Sequence, residues 1–364
     1  MSVLADWLVR QAPAWLEPAN AGPALTPGQR RALLAISRCR TPALGGQVLV
    51  CSTCSKTHYA YHSCHHRACP RCGGARTADW TQRQTERLLP VPYFLVTFTV
   101  PEALRAVGAV RPELFFDLLF TQSAFALQSV AARKHLLGGE LGMIGVLHTC
   151  GRQLQFHPHV HYLVPGGALR CDGKKWQRCR QPDWLLPGDA LAAVMRRGLD
   201  DALRALAPDL HAQVPDSAWR EGWWVHTQPA GSGEAVVRYL ARYVSRTAIS
   251  DERILEATDQ FVRFSYTATE DHTRRERTLS AAEFMRRYLQ HVLPLGQHRV
   301  RYFGWLHPTA HARRLKVETL LAVVIVVRAP FDSPPPWHLF CPKCETFTLV
   351  CTGRLARAPP SGPR

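Results

Sequence analysis

The sequence predicts a mixed α+β protein that opens with a metal-binding module, and three observations carry that expectation. Helical patterns alternate with apolar, strand-like runs, but without the even βα rhythm of a parallel wound sheet. A dense cysteine and histidine segment, Cys51 to Cys72, follows two short helical patterns near the start. At 364 residues the chain is long enough for two to three domains and a core that needs no disulfides.

The elements follow in order. Val3 to Leu16 and Pro27 to Cys39 carry helical spacing, and a further helix rich in Arg and Gln is expected over Ala78 to Leu89. PYFLVTFTVP, apolar, β-branched and bounded by prolines, reads as a buried strand that starts a second domain. A long helical stretch is expected from Pro101 to Leu137, then strands at Met143 to Thr149 and His157 to Val164, and a turn at Pro165 to Gly167. An amphipathic helix at Pro187 to Leu206 and a strand at Gly222 to Thr227 come next. The pattern EAVVRYLARYVSR predicts a helix to about Thr247, with Ser232 as its N-cap and Glu234 in its first turn. The strand QFVRFSYTA, a helix from Ala281 to Leu293, HRVRYFGW and the basic stretch His311 to Lys316 close that domain. The expected division is residues 1–90, 91–320 and 321–364. The last part has a Pro334 to Pro336 linker, the pair Cys341 and Cys344, and a tail read as disordered.

Charge narrows the partner. Forty-five Lys and Arg stand against 28 Asp and Glu, a net charge of +17, which favours a polyanion over a small neutral or acidic substrate. The N-terminal residues lack a basic stretch followed by an apolar core, and the longest apolar run, Leu320 to Val327, is too short to cross a bilayer. A cytosolic protein with no membrane partner is therefore expected. In that reducing compartment, clustered cysteines read as metal ligands.

Cys51-x2-Cys54 and Cys69-x2-Cys72 have the spacing of a four-thiolate zinc ribbon, each pair bringing two sulfurs to one ion. Cys39, Cys64, His62, His65 and His66 stand near enough to offer alternative ligands, Cys64 and His66 first among them, or to hold a second ion. Arg67, Arg71 and Arg76 lie among these residues, so phosphate contact is the expected task. Cys341 and Cys344 are left open between metal ligands, with Cys351, and a metal-free pair.

In QFHPHVHYLV, strand alternation places His157, His159 and His161 on one face. His148 lies on the preceding apolar run and, from a neighbouring antiparallel strand, would reach the same ion. An open three-histidine site leaves coordination positions for a substrate oxygen. Tyr239 and Tyr243 are four residues apart, so both phenols address one side of their helix. Arg238, Arg242 and Arg246 form a basic row beside them, and Arg299 and Arg301 add basic groups downstream. A phenol is a weak nucleophile at neutral pH and needs a base or a metal to act on phosphate.

The cysteine cluster, the HPHVH strand and the YLARY helix, in this order, resemble the HUH-superfamily rolling-circle transposases of the IS91 type and their common-region relatives. SCHHRACPRC, LHTCGRQLQFHPHVHYLVPGG, RYLARYVSRTAIS and LQHVLPLGQHRVRYFGW extend the likeness over about residues 1–320. Ala68 departs from it, standing where the family usually carries a histidine before the second cysteine pair. The resemblance implies a nuclease domain with a central antiparallel sheet flanked by helices. It implies Mg2+ or Mn2+ on His159, His161 and His148, and attack by Tyr239 or Tyr243 on single-stranded DNA at element termini and target. A 3′-hydroxyl and a covalent 5′-phosphotyrosine would result, and zinc would be structural. The competing readings are a rolling-circle replication initiator and a zinc-dependent DNA-binding protein without catalysis.

Overall fold

The computed structural model describes residues 2–17, 25–244, 248–323 and 339–358. Helix α1 (Val3–Leu16) is capped by Ser2, whose side chain accepts from the Ala5 N–H, and α2 (Pro27–Arg38) by a reciprocal box between Thr26 and Gln29. A hairpin of β1 (Gly46–Cys51) and β2 (Thr57–Tyr61) follows, then α3 (Gly74–Thr85). The expected Ala78 to Leu89 helix thus starts and ends earlier, beginning just beyond Gly73.

Strand β3 (Tyr93–Thr99) leads to α4 (Glu102–Val110) and α5 (Pro112–Ala131). One long helix was expected here. The chain instead leaves helical geometry at Arg111, φ −124° and ψ 66°, because the next residue is a proline, which disfavours helical backbone before it and suits a helix start. By length and composition alone α5 would cross a membrane, yet 61% of its apolar window is buried. It is a core helix here.

Then come β4 (Gly139–Glu140), β5 (Gly142–Cys150), β6 (Phe156–Pro165), β7 (Gly167–Arg170), β8 (Trp176–Arg178), α6 (Gly188–Leu206), α7 (Pro208–His211) and β9 (Trp224–Pro229). Helix α8 (Glu234–Val244) carries the tyrosines and starts after Gly233 rather than at a Ser232 cap. Gly233 has φ +84°, and a Cβ there would meet the Tyr93 ring at 2.8 Å, so the turn into α8 requires glycine. The chain continues through β10 (Ile254–Ala257), β11 (Phe261–Thr267), β12 (Arg274–Ser280), α9 (Ala281–Leu289), β13 (Val300–Gly304) and α10 (His311–Leu320). Two strands, β14 (Leu339–Cys341) and β15 (Thr346–Leu355), end it. Part of the segment read as a disordered tail is therefore ladder; the Pro334 to Pro336 linker lies outside the described residues.

The central sheet has the order β13-β5-β6-β3-β9 and is antiparallel throughout. Helices cover both faces, so β3 and β5 read as near-continuous apolar runs. One face, with Phe94, Val96, Phe98, Val160, Tyr162 and Val164, packs against α4, α5 and α6. The other, with Tyr93, Ile144, Val146 and Leu163, packs against Val237, Leu240 and Ala241 of α8 and Trp80 of α3. A separate core joins α1 and α2 to α9 and β11, where Trp7 stacks edge-on to Phe284 at 5.2 Å. The Tyr288 hydroxyl donates to the Ala68 carbonyl at 2.6 Å across the same junction.

Candidate active site and metal centres

Alternation along the strands builds the site. On β6 the residues opposite Val160 and Tyr162 are His159 and His161; on β5 the residue opposite Leu147 is His148; on β3 it is Thr97 beside Phe98. All four point to the face covered by α8. Register does the rest: His148 pairs directly with His159, and Thr97 with His161. The ring centroids of His148, His159 and His161 lie 4.2 to 5.0 Å apart, and their ligand nitrogens all lie within 4.8 Å of one another.

Outer contacts set the tautomers. His159 Nδ1 bonds the His157 carbonyl at 2.7 Å, and His161 Nδ1 pairs with the Thr97 hydroxyl at 2.8 Å. The carbonyl, which only accepts, leaves the free electron pair of His159 on Nε2, and His161 takes the same state when the Thr97 hydroxyl accepts its Nδ1–H, the arrangement of metal-ligating imidazoles. The Nε2 atoms of His148 and His161 are buried with no hydrogen-bond partner among the described residues. A polar atom orphaned in this way costs ~1–3 kcal/mol, and a cation would satisfy it. Burial drives the pKa of all three histidines down, that of His159 to about 4, so they are neutral and able to ligate. His157, expected on the same face, does not join the trio; it contributes its carbonyl.

Both tyrosines reach the trio. The Tyr243 ring centroid is 3.6 Å from that of His148, and Tyr239 is 5.9 Å from His161, with 5.3 Å between the two phenols. Burial, then the neighbouring Tyr243 phenol, raises the Tyr239 pKa. Arg299 of the β13 edge donates Nη1–H to the Tyr243 carbonyl at 2.8 Å and so ties the end of α8 to the sheet.

The arginines expected to touch DNA divide into two groups. Arg67 donates to the carbonyls of Gln297, Leu293 and Pro294, and Arg71 to the Cys39 carbonyl and Asp6. Arg301 pairs with Asp117 and lies over the Phe120 ring, while Arg299 holds Tyr243 and is lowered to about 10 by burial. These four spend donors on the protein itself, which fits them for joining elements. Arg238 and Arg242 are exposed on α8, Arg238 with only a 3.5 Å pair to Glu234. Arg246 lies outside the described residues.

The cysteines assemble differently from the single ribbon of Cys51, Cys54, Cys69 and Cys72. Cys69 and Cys72 come together with Cys39 and Cys64, whereas Cys51 and Cys54 meet Cys341 and Cys344. The physical reason is pairing: β1 leaves Cys51 against β15, away from the turn that carries Cys69. In the first cluster Cys64 and Cys72 sulfurs are 3.7 Å apart, and backbone N–H groups of Cys64 and His66 point to Cys39 and Cys64 sulfurs at 3.5 and 3.4 Å. Hydrogen bonding from Cys64 and Cys69 holds the Cys72 thiol well below its usual range. His66, an alternative ligand on sequence grounds, instead accepts the Ala68 N–H at 3.1 Å through Nδ1.

Known proteins match this arrangement in two pieces. A "Transposase zinc-binding domain" model covers residues 10–100, and a "Putative transposase" model covers residues 142–314. The "Putative transposase y4qJ" of Sinorhizobium fredii is 38% identical over 359 residues, spanning 90% of this chain and 89% of that protein. The "Transposase for insertion sequence element IS801" of Pseudomonas savastanoi pv. phaseolicola is 30% identical over 332 residues, 86% of this chain and 77% of that one. The chain belongs to the IS91-type transposases. No solved structure matches it significantly.

In this transposase the histidine trio and α8 fall inside the stretch matched to transposases, and Cys39 to Cys72 inside the zinc-binding one. Cys341 and Cys344 fall in neither. Thr97 was not singled out from sequence; its signal was the strand alternation of FLVTFT, which puts Thr97 and Thr99 on the face opposite Phe94, Val96 and Phe98.

Proposed function

We propose that this IS91-type transposase nicks and transfers single-stranded DNA at the ends of its element through a covalent 5′-phosphotyrosine. The observation that carries the reading is the convergence of two phenols on three neutral histidines, of which His148 and His161 have orphaned Nε2 atoms. His148, His159 and His161 would hold Mg2+ or Mn2+, whose charge would neutralise the scissile phosphate and favour the phenolate. Imidazoles alone equally suit zinc or another transition metal, so the choice of ion rests on the family resemblance.

Thr97 and the His157 carbonyl keep the ligand rings oriented while α8 presents the nucleophile. A Tyr oxygen forms the bond to phosphorus, the bond to the 3′-oxygen breaks, and the 3′-oxygen leaves to become a hydroxyl by taking up a proton. The phosphodiester free energy stays in the tyrosyl link, so no nucleotide cofactor is needed. The second phenol, 5.3 Å away, is placed to accept the next strand. Exposed Arg238 and Arg242 flank this face and would contact backbone phosphates.

Single-stranded oligonucleotides spanning the element termini, incubated with the protein and Mg2+ or Mn2+, should yield an SDS-stable protein–DNA adduct. Tyr239→Phe, Tyr243→Phe should abolish it. An adduct that survives in that double variant assigns the attack to another residue, and none with wild type on any terminus leaves a DNA-binding protein without this chemistry; either result overturns the reading.

A further inference from the structure

We propose that Cys51, Cys54, Cys341 and Cys344 form a second tetrathiolate zinc site, a ribbon split between the two ends of the chain. The four sulfurs lie within 4.8 Å of one another, with Cys51 to Cys344 at 3.5 Å and Cys54 to Cys341 at 3.8 Å. Four thiolates suit zinc or iron, and the zinc-binding domain matched over residues 10–100, which contains Cys51 and Cys54, favours zinc.

The two halves are built alike. Each Cys-x-x-Cys turn is followed by a residue in the left-handed region, Ser55 at φ 56° and Glu345 at φ 56°. Each closes with the same bond, Ser55 N–H to the Cys51 carbonyl and Glu345 N–H to the Cys341 carbonyl, both 2.9 Å. Neither residue is glycine, so each turn holds a conformation that L side chains rarely adopt. Around them stand outer partners of the kind that orient ligands: the Thr348 hydroxyl 3.1 Å from Cys51, the Thr346 hydroxyl 3.1 Å from Cys344, and His58 Nε2 3.5 Å from Cys341.

A second observation concerns the sheet that carries the ligands. The four-stranded sheet β14-β15-β1-β2 has its own buried cluster, and among the described residues that cluster is only Leu49, Cys51, Cys341 and Leu349. Two leucines do not make a core for four strands. Small sheets of this kind are held by a metal or by disulfides.

The experiment measures zinc per chain in full-length protein purified under reductant, and compares three forms. Relative to wild type, Cys341→Ser, Cys344→Ser should lose one equivalent, Cys64→Ser, Cys69→Ser another one, and the combined variant two. After replacement by Co2+, the sulfur-to-cobalt charge-transfer band should fall to half in each double variant. Unchanged zinc and an unchanged band in Cys341→Ser, Cys344→Ser overturn the proposal.

A wild-type measurement covers the case in which that variant fails to fold. In zinc-loaded protein a maleimide should modify exposed Cys171 and Cys351 first, and Cys51, Cys54, Cys341 and Cys344 together only after chelation. Labelling of Cys341 and Cys344 at the rate of Cys351 before chelation would sink it.

Discussion

The histidine site and the cysteine clusters are both made of potential metal ligands, yet they are assembled by opposite means. Three histidines come from two strands of one antiparallel pair, and register alone brings them together, His148 facing His159. Among the cysteines, Cys69 and Cys72 take Cys39 and Cys64 from nearby in the chain, whereas Cys51 and Cys54 meet Cys341 and Cys344 only through the ladder of β1 with β15, which brings together sulfurs 293 positions apart. The first device places chemistry on a rigid sheet under a helix. The second joins parts of the chain.

That contrast makes effects at the two places separable. The largest is expected at the trio: His161→Ala should cut adduct formation on the order of 10^3-fold or more, several kcal/mol of transition-state stabilisation, while zinc held by the cysteines stays constant. A parallel loss of cysteine-bound zinc would show the two regions to be one unit. Arg67→Ala, on the cysteine side, should do the reverse. It leaves the carbonyls of Gln297, Leu293 and Pro294 without their donor, so the unfolding free energy from a denaturant titration should drop by about 2–3 kcal/mol with the salt dependence of DNA binding unchanged. A changed salt slope there would restore Arg67 as a phosphate contact.

Thr97→Val keeps shape but removes the partner of His161 Nδ1, and should weaken metal binding at the trio by roughly 10–100-fold in a titration followed by adduct yield. Arg238→Ala should be smallest in stability, within about 0.5 kcal/mol because the group is exposed and its ion pair loose. Its mark should be a salt slope for single-stranded DNA reduced by about 0.7, with affinity lost evenly across sequences.

Much of the histidine and tyrosine face was legible because its signals are local. Alternation in HPHVH, the four-residue spacing of Tyr239 and Tyr243, and an apolar strand holding one histidine are facts about near neighbours in sequence, and they survive folding. The partition of the cysteines was not legible. Cys-x-x-Cys spacing states that two sulfurs serve one ion, not which other two complete it, and the deciding ladder joins β1 to β15, a strand not singled out in the C-terminal extension. The arginines misled for a related reason. Composition counts charges, whereas the roles of Arg67 and Arg301 depend on carbonyls and a carboxylate brought from distant parts of the chain. The break at Arg111 was written locally in Pro112, but the helical pattern on both sides masked it.

The β1–β15 ladder also sets an order of events during synthesis. Cys51 and Cys344 are separated by 293 positions, so at ~5–20 residues per second the first knuckle waits roughly 15–60 s for the second. Throughout that time β1 has only its hairpin partner β2, and its other edge is open. A chain released early, with α8 and the histidine sheet already made, would carry an unpaired strand and two thiols without partners. The N-terminal module thus waits for a strand made 293 residues after its first knuckle.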